Sequence, residues 1–492
     1  MQKRNVLLSI ISGVVLASAF PRPGIYVLAW VGLVPLFIAL RKATLIQSII
    51  YGLITGLTFF GIILFWISLF GYLPWILVSI VEAVFIAAFA LISARIQPNK
   101  IGWFGYFAVP AAWTAMQWAR SLGTYSLTWG SFAHSQANNL PIAQLSSITG
   151  TWGIDFLICL FNLAAADILV PLNHKRRYIP GVIVVLSVIS VWFIGYNFLS
   201  TPLPHNKAAK IAIIQGNTNQ DVVVDSTYLY STFNTFTAMS RSAAKSKPDF
   251  IVWPETTLPT IITNTLWSEQ IASLAKETSA NFIVGAYDSQ CDPRLCEYHN
   301  GAHFYNKSGK KLGVYRKVHL VPYGEFVPLR ERLPFLKRYA IRDIDVLPGK
   351  SHILIKTDIG KVGVNICFES LFSQISRQET QKGAVVLFVL TDDSWFGRIQ
   401  AARLHLMMSR LRAIENRRYV VRAAATGISA IIDPYGRVID ELGIFKQGIV
   451  SGRIQPMQIR TLYVRWGDYF AYICLGIVVV GLVVSRCRRE KA

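Results

Sequence analysis

Charge is scarce in this chain: only 15% of its residues are Asp, Glu, Lys or Arg, against roughly a quarter in an average soluble domain. The deficit lies before residue 200 and after residue 467. That uneven distribution excludes a uniformly soluble protein. Acidic residues are scarcer still, 27 against 49 basic ones. A basic chain can bind nucleic acid or sit beside anionic lipid. Here the basic residues flank apolar segments, which points to membrane topology and away from nucleic acid. Cysteines number six and histidines eight. They are scattered, without the spacing of a metal site. No internal repeat or low-complexity tract is present.

Long apolar runs are abundant. Stretches of about 17–25 apolar residues are transmembrane candidates. Eight are expected, near 5–20, 24–40, 46–70, 73–95, 101–119, 141–170, 179–199 and 468–485. Lys3-Arg4 and Ala17-Ser18-Ala19 around the first run also fit a cleavable signal peptide. A second apolar run follows within a few residues, so a retained helix is the preferred reading. The clusters Lys3/Arg4, Arg41/Lys42, Arg95/Lys100, Lys175–Arg177 and Arg486–Lys491 all fall on one side if there are eight crossings. The positive-inside rule makes that side cytoplasmic. Three parts are expected: residues 1–199 with seven helices, an extracytoplasmic domain at 200–467, and 468–492 with the eighth helix and a basic tail. Glu82, Asp155 and Asp167 interrupt apolar runs, and helix-packing hydrogen bonds are their simplest use.

The middle of the chain reads differently. About 260 residues suffice for one sizeable core. Short buried-strand patterns recur at 210–215, 250–253, 281–285, 362–367 and 384–390, with helical patterns between them. Alternation of this kind predicts an α/β fold. Three strand ends carry reactive groups: Glu255 in Trp253-Pro-Glu-Thr256, Lys317 in Tyr315-Arg-Lys-Val-His-Leu320, and Cys367 in Asn365-Ile-Cys-Phe-Glu369. Each alone is a weak signal. Together they could perform acyl transfer, with a thiol nucleophile, a carboxylate base and an ammonium facing the developing oxyanion. Cys291 and Cys296 share one loop of a compartment that permits disulfides, and either a bridge or two free thiols is open.

These residues, in this order, resemble the carbon–nitrogen hydrolase (nitrilase) superfamily. With the membrane helices, the likeness narrows to its membrane branch, the apolipoprotein N-acyltransferases. The matching stretches are Trp253–Thr256, Lys317–Pro328, Asn365–Glu369, Ser394-Trp-Phe-Gly397 and Arg412-Ala-Ile-Glu-Asn416. The resemblance implies an αββα sandwich carrying a Glu-Lys-Cys triad. By motif, Glu255 matches the base, Lys317 the oxyanion helper and Cys367 the nucleophile. Glu325 and Glu369 match supporting carboxylates, and Trp395-Phe396 a lipid-facing loop. The family's reaction moves an acyl chain from a phospholipid, through a Cys thioester, to the amine of a diacylglyceryl-cysteine apolipoprotein. It needs no cofactor or metal. It takes place at the bacterial inner membrane, and a monomer is expected. The chain departs from the family pattern at Gln400–His405, at Arg422–Gly427 and at Val223-Val-Asp225, none of them in the triad. A tethered amidase using water as acceptor would share the triad but would need only one anchor. A transporter would leave the triad unexplained.

Overall fold

A computed structural model of the chain describes residues 2–170, 178–204, 207–218, 225–291, 296–327, 332, 346–397 and 400–490. The basic cluster at 175–177, Val223-Val224, Pro328 and Lys491 lie outside these residues. The chain forms two compact units. One comprises Met1–Pro202, Ile399–Met407 and Trp466–Ala492; the other comprises Leu203–Arg398 and Met408–Arg465. Residues 399–407 belong to the helical unit, although the sequence reading kept them inside the middle domain.

The first unit is helical. Among the described residues, five stretches are long and apolar enough to cross a membrane: Leu45–Ile63, Tyr72–Arg120, Trp152–Leu169, Tyr178–Ser200 and Tyr469–Arg488. The second of these contains two expected segments, split after Ile96 by Pro98 and a short turn. The first expected segment is the 16-residue helix Lys3–Ser18. The second is a 3-10 turn followed by the helix Val34–Leu40, which carries Pro35 in its first turn, where proline's missing donor breaks no helical bond. The sixth expected segment is shorter than its apolar run. Two single turns precede Gly150, which takes a left-handed φ of 67°, and the long helix begins at Trp152.

Small residues let the first helices approach closely. Thr55 Oγ1 donates to Ser9 O at 3.0 Å and Ser12 Oγ to Gly32 O at 2.6 Å. The three buried carboxylates are all partnered. Glu82 takes Arg120 Nε at 2.5 Å, Asp167 takes Arg41 at 2.6 Å and also Tyr106, and Asp155 takes Ser131 Oγ at 2.9 Å.

Among the described residues, the second unit contains thirteen strands: β1 Ala209–Gln215, β2 Phe250–Val252, β3 Leu258–Ile261, β4 Asn281–Cys291, β5 Cys296–Tyr305, β6 Lys311–Arg316, β7 Ile355–Thr357, β8 Gly360–Ile366, β9 Val386–Thr391, β10 Val420–Ala424, β11 Ser429–Ile432, β12 Val438–Leu442 and β13 Gly448–Ile454. One sheet has the order β13-β1-β2-β4-β5-β6, with β3 beside β4; the other has β12-β11-β10-β9-β8-β7. Their inner faces share a core of Ile211, Ile213, Val252, Ile283, Val364, Ile366, Phe388 and Val421. The alternate residues Ala212, Ile214, Ile251 and Phe282 pack with Phe236 and Leu274 from the helices Ser226–Ala244 and Leu266–Thr278. Both faces of β1 are therefore buried, which is why it reads as an unbroken apolar run. On the outer face of the second sheet, the helix Ser373–Gln381 sends Glu379 to the Val364 N–H at 3.0 Å. The β4–β5 register sets Cys291 opposite Cys296, and Cys296 is disulfide-bonded.

Candidate active site

β2, β6 and β8 each end at one of the three predicted reactive residues. Glu255 follows β2, Lys317 follows β6 and Cys367 follows β8. The sheets fix the strands, and the chain leaves each by an unusual backbone step. Thr256, directly after Glu255, has φ 43°; Tyr323, two residues before Glu325, has φ 63°; Cys367 itself has φ 49°. Left-handed conformations in non-glycine residues carry strain that the surrounding packing must hold.

Lys317 stands at the centre. Its Nζ lies 2.8 Å from Glu325 Oε2 and 3.4 Å from Glu255 Oε1, and its side chain is 1% exposed. Burial works against its charge, but Glu325, Glu255 and the nearby Cys367 more than offset that and hold its pKa above the ordinary lysine range. Glu255 is fixed at both oxygens. Oε1 accepts from Asn300 Nδ2 at 2.8 Å and Oε2 from the Asp392 N–H at 2.8 Å. Asn300 also donates to Glu325 Oε1 at 2.9 Å, so one amide spans both carboxylates.

Glu369 serves the backbone rather than the reacting groups. Its Oε1 accepts from Tyr315 Oη at 2.8 Å and from the N–H groups of Val318 at 2.7 Å and His319 at 3.1 Å; its Oε2 accepts from the Ile366 N–H at 2.7 Å. It therefore ties the segment after Lys317 to the segment before Cys367. Burial raises its pKa to about 7, against the pull of these donors.

Cys367 is partly exposed, at the start of the turn Cys367–Leu371. Burial first, and the neighbouring Glu255 second, push its thiol well above the usual range, while Lys317 opposes them. A thiol so placed is protonated at neutral pH and needs a base before it can act as a nucleophile.

Trp395 and Phe396 lie on the 3-10 turn Asp393–Phe396 beyond β9, Trp395 half-buried and Phe396 buried. Sequence reasoning missed Asn300, Thr391, Asp392, Asp393 and Arg422. Asn300 had a signal: it is in step with Ala302 and Phe304, which face the core between the sheets, and a polar residue there needs a buried partner. The pair Asp392-Asp393 closing an apolar strand was a second signal.

Both parts of the chain match known families. The carbon-nitrogen hydrolase family matches residues 210–463, and the apolipoprotein N-acyltransferase N-terminal domain matches residues 12–164. An apolipoprotein N-acyltransferase of Geobacter metallireducens is 32% identical over 499 residues, covering 98% of this chain and 96% of that one. One from Gloeobacter violaceus is 27% identical over 510 residues, covering 98% and 94%. Among solved structures, Nit3 of Saccharomyces cerevisiae, a member of branch 10 of the nitrilase superfamily, aligns with a TM-score of 0.40 and 21% identity, over 51% of this chain and 91% of that one.

Proposed function

Because the chain belongs to the apolipoprotein N-acyltransferase family, we propose that it transfers an acyl chain from a membrane phospholipid to the N-terminal amine of a diacylglyceryl-cysteine lipoprotein, by way of a thioester on Cys367. The observation that carries this reading is the buried Lys317 ammonium held between Glu255 and Glu325 beside the Cys367 thiol.

In the first half-reaction Glu255 takes the thiol proton and Sγ attacks the ester carbonyl. Lys317 faces the negative charge that develops on the carbonyl oxygen. The intermediate collapses by breaking the ester C–O bond, and the lysophospholipid oxygen leaves with the proton from Glu255. In the second half-reaction the lipoprotein amine attacks the thioester. Glu255 takes a proton from the amine, the C–S bond breaks, the departing sulfur receives that proton from Glu255 and an amide remains. Splitting the transfer in two replaces one difficult step with two easier ones. Both substrates are lipids, so a membrane-anchored enzyme meets them at high effective concentration. Glu325 and Glu369 are assigned to holding Lys317 and the two backbone segments. Trp395-Phe396 is assigned to the acyl entrance. The protein is placed in the bacterial inner membrane as a monomer, with the catalytic unit on the extracytoplasmic side.

The test is to incubate the enzyme with acyl-labelled phospholipid and no acceptor. Label should accumulate on the protein and be released by neutral hydroxylamine. Cys367→Ala should abolish it. Glu255→Gln and Lys317→Ala should slow it by ~100-fold or more. Undiminished hydroxylamine-sensitive label in Cys367→Ala would remove Cys367 as the nucleophile.

A further inference from the structure

The parallel register that sets Ile366 beside Leu390 brings Cys367 level with Thr391 at the ends of β8 and β9. The Thr391 hydroxyl is close enough to the Cys367 side chain to favour its thiolate. It also donates to Asp393 Oδ1 at 2.9 Å. Asp393 Oδ2 in turn accepts from Arg422 Nη2 at 2.6 Å, and neither side chain has any exposed surface. Arg422 is itself anchored: Nε donates to Ile428 O at 3.1 Å and Nη1 to Ser409 Oγ at 3.3 Å. The turn after β10 closes tightly on Asp393, since a Cβ on Gly427 would stand 2.2 Å from Asp393 Oδ2.

Burying an ion pair costs several kcal/mol per charge in desolvation, and an apolar pair would pack as well. A hydroxyl satisfying itself in a core needs no such backing. Here the pair stands directly behind a hydroxyl beside the thiol. Thr391 has one proton and two acceptors within reach, the Asp393 carboxylate and the sulfur.

We propose that Thr391 is a catalytic hydroxyl that donates to the Cys367 thiolate as it forms, and that Asp393 and Arg422 are positioning residues that aim it. At rest the Thr391 proton points to Asp393 Oδ1 and the sulfur carries its own proton. When Glu255 takes that proton, the S–H bond breaks and its electron pair stays on Sγ. The Thr391 O–H then turns to Sγ, and no bond to oxygen breaks. Asp393 can release the hydroxyl because Arg422 still matches its charge. Without Arg422, the Asp393 carboxylate would oppose the thiolate. The same hydroxyl would stabilise the thiolate when it leaves in the second half-reaction.

The inference rests on Cys367 being the nucleophile. The test therefore reads the thiol directly as well as the reaction. Alkylation of Cys367 by iodoacetamide is followed against pH by peptide mass spectrometry in the full-length enzyme, alongside the rate of acyl-enzyme formation. Thr391→Val keeps the shape and removes the hydroxyl. It should move the alkylation profile to higher pH and slow acylation by ~10–100-fold, the loss expected for one hydrogen bond to a charged group. Thr391→Ser should restore both. Asp393→Asn still accepts from Thr391 but lacks the charge, so its profile should move the opposite way, to lower pH. A purely structural role would leave the profiles where they are. A wild-type profile in Thr391→Val, or no restoration by Thr391→Ser, overturns the role of Thr391. An unmoved profile in Asp393→Asn overturns that of Asp393. Persistent acyl label in Cys367→Ala would instead overturn the underlying choice of nucleophile.

Discussion

Asp392 is a third carboxyl group beside two that already share one lysine, and it gains no cation of its own. Its backbone N–H supports Glu255 and its Oδ1 accepts from the Ser394 N–H at 3.0 Å, while Oδ2 is buried without a partner. Burial, then the charge of Glu255, raise its pKa from 3.8 to about 7. Between about pH 4 and pH 7 the folded state thus keeps a proton that the unfolded chain has released. Stability from this group is full below pH 4 and is lost as pH rises through about 7. Asp392→Asn should melt like the wild type near pH 4 and at higher temperature at pH 8, by an amount worth up to a few kcal/mol. A constant offset between the two melting curves across that range would count against this account. Glu255, Lys317 and Cys367 were legible in the sequence because each closes an apolar strand run within a recognisable motif. Thr391 and Arg422 were not. Each looks like an ordinary strand residue until the pairing of β8, β9 and β10 fixes what it faces.

The strands position chemistry only as closely as their backbones can approach. Gly285 lies in β4, beside the segment leaving β2. A Cβ there would stand 2.1 Å from Pro254 O and 2.6 Å from Glu255 Cα. Gly285→Ala must push the Pro254-Glu255 step aside. A displacement of ~1 Å at a reacting group can cost ~100-fold in rate, so acyl-enzyme formation should fall by at least about tenfold. Gly443→Ala, which meets nothing within 4 Å, should label at the normal rate. Equal labelling by the two variants would show that Glu255 tolerates movement. At this scale the sheet elements were the more readable. Apolar runs bounded by turn residues marked β1, β2, β8 and β9. Helix limits inside long apolar stretches were harder, because hydropathy does not register breaks such as Pro35 and Gly150. Proline's missing donor suits Pro35 to a first turn, and Gly150 takes a left-handed φ.

For the whole molecule, the division into a helical unit and a two-sheet unit follows from where charge is absent and where it returns. The proposed topology puts both termini in the cytoplasm and the catalytic unit outside. Reporter fusions near residue 300 and at the C-terminus should report opposite sides, and the same side for both would refute it. What composition could not reveal is that residues 399–407 belong to the helical unit, since that depends on packing and not on local hydropathy. The way the catalytic unit is strung into the chain has a mechanical meaning. Its first and last strands are antiparallel neighbours, with Ala209 opposite Ile454 and Gln215 opposite Gly448. Apart from its excursion through residues 399–407, the chain therefore first enters and finally leaves the unit at the same end of one ladder. Tension between the two tethers would not shear that ladder along its length but open it like a zipper, one rung at a time from Ala209 and Ile454 inward. Under such a pull the unit should give way first where those two straps begin.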